Sequence, residues 1–214
     1  VNAIFDADEV EAERTVIIAE RQGSENDPRF LLDEEVKAAA FRIHAYHHDT
    51  IGDLPDLLTI TRDDLWRHYR TFYTPNNALA VLVGDVQVEQ AVERLEAAFG
   101  SIPRGPDIPS TRRAEPEQRG ERRIIREGPG TVAYLQICHH VPAVDGEDYM
   151  PLLVMDAALT GPPQMSFSGG GGTNRSSRLY QALVETELAT SIGGSVFATR
   201  DPYVYDLSAT VRSG

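Results

Sequence analysis

Glu13 and Glu20 stand seven residues apart in an acidic run that carries apolar residues at helical spacing. At about 100° per residue, seven residues make nearly two turns, so both carboxylates fall on one helix face about 10 Å apart along the axis. One could coordinate a metal while the other orients a neighbouring group behind it. The same spacing also suits a solvated acidic face, and the pair alone does not choose between them. His44, His47 and His48 cluster, and His44 and His48 at i,i+4 could share a metal if the helix before them ran that far. His139 and His140 lie in an apolar run that reads as a strand, where adjacent rings point to opposite faces and suit one metal poorly. The stretch Ser168 to Thr173 holds four successive glycines but lacks the Gly-Lys-Ser/Thr of a phosphate loop. It reads as a bent loop that lets another backbone approach closely. No Gly-x-Ser-x-Gly elbow occurs, and Cys138, the sole cysteine, sits in an apolar run as a buried, inert thiol.

These residues need elements to hold them. Asp6 or Asp8 caps a first helix through Val10, Val16, Ile17 and Glu20, which Asn26-Asp27-Pro28 stops. A second helix opens behind Pro28, and the segment from His47 to Leu58, with Gly52 and Pro55, reads as a loop. Thr61-Arg62-Asp63-Asp64 resembles a capping box for a helix bearing Leu65, Trp66, Tyr69 and Phe72. Residues 74–77 make a turn, Ala78 to Val83 reads as a buried strand, and a helix follows from Val88 to Phe99. After residue 123 the pattern restarts. It gives a strand near residues 132–141, a helix over 147–159, a helix over 177–187, and strands near 191–198 and 203–211.

Between these runs, residues 103–123 hold four prolines with dense Arg and Glu, a composition that predicts a linker. The expected organisation is therefore 1–102, a linker at 103–123, and 124–214. The fold class is α+β, with mostly antiparallel sheets covered by helices. A chain of 214 residues can bury a sizeable core, and its net charge of −13 argues against nucleic acid, whose phosphates want a basic face. No apolar run reaches the roughly 18 residues that a membrane-spanning helix needs. Nearly all basic residues are arginine, with Lys37 the only lysine. The sequence does not fix the compartment; cytoplasm is preferred over the bacterial periplasm or secretion.

Four segments in order resemble the M16 metallopeptidase family, the insulinase, pitrilysin and mitochondrial processing peptidase group. They are Glu13 to Glu20 followed by Asn26-Asp27-Pro28; His44 to His48 leading to Ile51-Gly52; Ile60 to Leu65 with Phe72 to Ala78 and Val83-Gly84-Asp85; and Gly169 to Gly172 followed by Ser177 to Glu185. The resemblance implies the later part of one M16-type domain and the early part of a second. It implies a zinc-dependent metalloendopeptidase acting on short or unfolded peptides. Glu20 matches the family's downstream glutamate ligand and Glu13 the supporting acid seven residues earlier. Gly170, Gly171 and Arg178 match a second-domain region that faces the chamber, with a role either structural, the preferred reading, or in binding peptide, and the histidines at 44, 47 and 48 match a loop rather than ligands. The family's His-x-x-Glu-His is absent from these residues. The chain is therefore expected to be an inactive piece that retains no Zn2+, cut from a longer active enzyme. The alternative is a non-catalytic M16-like subunit or peptide-binding partner. A homo- or hetero-dimeric M16 partner is expected, without nucleic acid or membrane.

Overall fold

The computed structural model describes residues 3–109, 113–161 and 175–212. By internal contacts they fall into two units, one drawn from Val1–Arg21 and Ile51–Arg112, the other from Gln22–Thr50 and Arg113–Gly214.

The first unit is helical. Helix α1 spans Ala7–Ser24, its last residues belonging to the second unit, and the Asp6 carboxylate accepts from Asp8 N (2.9 Å) and Glu9 N (3.3 Å) at its start. Two short helices follow, α3 at Leu54–Thr59 and α4 at Arg62–Phe72. The region expected as loop thus holds one extra turn of helix, because Asp53 stands at the N-cap and Pro55 fits the first turn, where no backbone N–H is needed. Thr61 and Asp64 form the expected capping box, with Asp64 N donating to Thr61 Oγ1 (3.2 Å) and Thr61 N to Asp64 Oδ2 (3.0 Å). Helix α5 occupies Val88–Phe99, the span its apolar spacing predicts.

Residues 78–83 correct the sequence reading. They form no strand and join no sheet among the described residues, and Leu79 and Val83 are 88% and 92% exposed. An apolar run encodes burial, yet a strand exists only when a neighbour accepts its ladder. Part of this segment lines an 850 Å³ groove with Tyr69, Phe72, Leu95 and Phe99.

The second unit is built on an antiparallel sheet of order β1-β3-β2, from Ala133–Val141, Tyr203–Val211 and Ala189–Val196. The β1–β3 register runs from Ala133 opposite Val211 to Val141 opposite Tyr203, and a bulge at residues 189–191 shifts β2. Residues paired across such a ladder share a face. Gln136, Cys138, His140, Val204 and Asp206 therefore lie on one side, under helix α2 (Pro28–Ala40). Tyr205, Leu207 and Gly194 lie on the other, under helix α6 (Tyr149–Leu159). Asp27 caps α2 by accepting from Arg29 N at 2.9 Å. Phe41, 1% exposed, stacks on Tyr203 at 5.6 Å and takes the edges of Tyr46 and His140. The helix expected over residues 177–187 is shorter and wider than an α-helix, a π-helical turn at Tyr180–Val184 followed by Glu187 at φ 64°. The helical mix with antiparallel sheet agrees with the α+β expectation.

Candidate functional site

Helix α1 places Glu13 and Glu20 two turns apart, and both are exposed. The residue after each is an arginine, so Arg14 and Arg21 form a second seven-residue pair about 100° around the axis. Arg14 pairs with Glu11 at 3.0 Å and donates to the carbonyls of Leu57 and Ile60, the latter at 2.6 Å. Arg21, 7% exposed, donates to Gly52 O at 2.8 Å. Gly52 has φ +82°, a left-handed conformation that suits glycine and turns that carbonyl towards the helix. The arginines thus fix how α1 is rotated against residues 52–60, which leaves the glutamates on another face. The sequence reading missed this pair, although its spacing repeats that of the glutamates.

The described residues contain no group of three or more His, Cys, Asp or Glu that could hold a metal ion. Zinc asks for about four donors. The glutamates of α1 meet that requirement only in part, so the described residues do not fit zinc by themselves.

The histidines are occupied otherwise. Residues 45–47 form a 3₁₀ turn rather than continuing α2, and His44 Nδ1 accepts from Tyr46 N at 3.2 Å. His44 Nε2 lies 3.7 Å from Asp201, and the rings of His47 and His48 lie 4.3 Å apart. His140 Nε2 meets Ala40 O at 3.1 Å. Arg178 is exposed just before the π-helical turn, while Gly170 and Gly171 lie outside the described residues.

Two polar clusters flank the sheet, each joining a pair four residues apart on a helix or its cap to a strand residue far away in sequence. Under α2, Lys37 binds Asp33 at 2.6 Å and Asp49 at 3.3 Å. Burial opposes its charge, but the hydrogen bond to Asp33 and the charges around it outweigh that cost and hold its pKa up. The Gln136 amide bridges Asp33 (2.8 Å) and Asp206, and Cys138 Sγ donates to Asp206 at 3.2 Å. Burial pushes the Asp206 carboxyl up despite those two donors. Burial and the neighbouring Asp206 push the Cys138 thiol up as well, which agrees with an inert thiol. Under α6, the buried Asp156 accepts from Tyr205 Oη (2.9 Å) and Thr160 Oγ1 (2.8 Å). Burial first, then Asp156, pushes the Tyr205 phenol up.

A family model described as "Peptidase M16 inactive domain" matches residues 59–214. Among curated proteins, the zinc protease PqqE of Helicobacter pylori is 27% identical over 188 residues, covering 86% of this chain and 40% of that protein. The mitochondrial-processing peptidase subunit beta of Lentinula edodes is 26% identical over 194 residues, covering 89% and 41%. Among solved structures, a protease from Helicobacter pylori superposes with a TM-score of 0.87 at 25% identity, covering 100% of this chain and 50% of that one. The chain thus spans half or less of the length of the proteins it matches.

Proposed function

The chain belongs to the M16 peptidase family, and from that membership we propose that it is part of a zinc-dependent metalloendopeptidase that hydrolyses short or unfolded peptides. What carries the reading is the exposed Glu13 and Glu20 pair on one face of α1, in a chain whose relatives include a protein named zinc protease. Glu20 would be the one metal ligand contributed from this chain and Glu13 its supporting acid. The remaining donors would come from polypeptide outside it, so the chain alone neither retains zinc nor cleaves peptide. Residues 1–102 would complete one M16-type domain, 103–123 would connect, and 124–214 would begin the next. Gly170, Gly171 and Arg178 would face bound peptide.

A second reading, a non-catalytic M16-like subunit or peptide-binding partner, draws on the description of the matched family as an inactive domain. The relative named as a subunit of a processing peptidase supports a homo- or hetero-dimeric partner under either reading.

The test is zinc-dependent cleavage of a quenched peptide by this chain and by a longer parent carrying about 100 more upstream residues, roughly what a catalytic motif and its domain half require. Cleavage only by the longer protein, abolished by Glu20→Gln together with its zinc content, is the expected result. Cleavage by the 214-residue chain itself would overturn the assignment of the remaining ligands. No cleavage and no zinc uptake by either protein would favour the non-catalytic reading.

A further inference from the structure

We propose that residues 115–126 form a strap laid antiparallel along α2 and latched by the Glu115 carboxylate seated on three successive backbone amides. Glu115 Oε1 accepts from Arg42 N at 2.7 Å, and Oε2 accepts from Ile43 N at 2.9 Å and His44 N at 3.0 Å. Farther on, the Arg122 guanidinium donates to the carbonyls of Ala39 and Ala40, the latter at 3.3 Å. Arg126 then pairs with Glu35 at 2.9 Å. As the strap advances from 115 to 126, its partners retreat from 44 to 35.

The charges match the backbone they meet. The last carbonyls of α2 carry the negative end of the helix dipole and take an arginine. The amides just past the helix end point together as an anion-binding concavity and take a carboxylate. Burial raises the Glu115 pKa, but the three amide bonds outweigh it and hold the carboxyl below its ordinary value.

Apolar packing cannot substitute for these anchors. Across residues 113–132 every residue is exposed except Glu115 and Ile124, and Ile125 is 82% exposed. The segment therefore stays on α2 through its polar contacts, and the Glu115 latch, with three bonds at one carboxylate, is the strongest of them.

Arg119, Arg122, Arg123 and Arg126 are already exposed, and lifting the strap frees the backbone around them to bend into the trypsin cleft. The experiment is amide hydrogen exchange and limited trypsin digestion on the 214-residue chain, comparing wild type, Glu115→Ala and the exposed neighbour Glu117→Ala. Losing bonds to a charged group is expected to speed exchange at Arg42, Ile43 and His44, and cleavage at Arg119 and Arg122, by about tenfold. The amides of β1 and β3 should keep wild-type rates, and Glu117→Ala should match wild type throughout. Wild-type rates in Glu115→Ala would overturn the latch. So would equal acceleration of the sheet amides, which would make Glu115 a general stabiliser, and so would the same effect from Glu117→Ala.

Discussion

Asp206 shows how a fold can tolerate a carboxylate that would be better neutral. Gln136 and Cys138 donate to it, Lys37 attracts it from a distance and Asp33 repels it, and burial sets the outcome by raising its pKa. A carboxyl whose folded pKa lies above its unfolded value, about 3.9, stabilises the fold while protonated and loses that contribution as pH rises through the folded pKa. Asp206→Asn keeps an oxygen for both donors and removes the charge. It is expected to raise the thermal midpoint at neutral pH and to do so less in acid, read by circular dichroism across pH. On the opposite face of the sheet, a Cβ added at Gly194 would stand 2.5 Å from Asp156 Oδ1 and 2.7 Å from Tyr205 Oη. Gly194→Ala should therefore cost about 1–3 kcal/mol in denaturant unfolding. These sites were invisible in the sequence because Asp33 and Gln136 are 103 residues apart, joined by α2 packing on the sheet, and Gln136 and Asp206 are 70 apart, joined by sheet register. Glu13 and Glu20 were legible because a helix turns sequence spacing directly into geometry.

Helix boundaries were read well where a side chain writes them. Asp27-Pro28 opens α2, Thr61 and Asp64 open α4, and α5 follows its apolar spacing from end to end. Thr61→Ala removes the capping hydroxyl and should lower stability by about 1 kcal/mol, measurable by chemical denaturation. Strands were legible only when a partner strand lay within the chain. β1 and β2 each pair with β3, and all three appear close to where alternation and turn residues put them. Residues 78–83 carry the same apolar signal without a strand beside them among the described residues, so neither the expected strand nor its burial is found there. Because Leu79 already faces solvent, Leu79→Lys should change stability by less than about 0.5 kcal/mol while raising the concentration at which the chain aggregates. Light scattering beside a thermal melt checks both. The π-helical turn at 180–184 escaped because its apolar spacing is also that of an α-helix.

Across the whole chain, acidic charge dominates at −13, and twenty basic residues include a single lysine. The family match covers residues 59–214, and the chain's 214 residues span half the length of a structural relative. Within them, that one lysine sits clamped between the carboxylates of Asp33 and Asp49 and is held protonated. For amine-directed chemistry the consequence is direct. Acylating labels and lysine cross-linkers attack the unprotonated amine, so ε-amine tagging at neutral pH should bypass the folded chain and leave the α-amino terminus as its chief handle, until unfolding opens the clamp and the mass of a second label reports it.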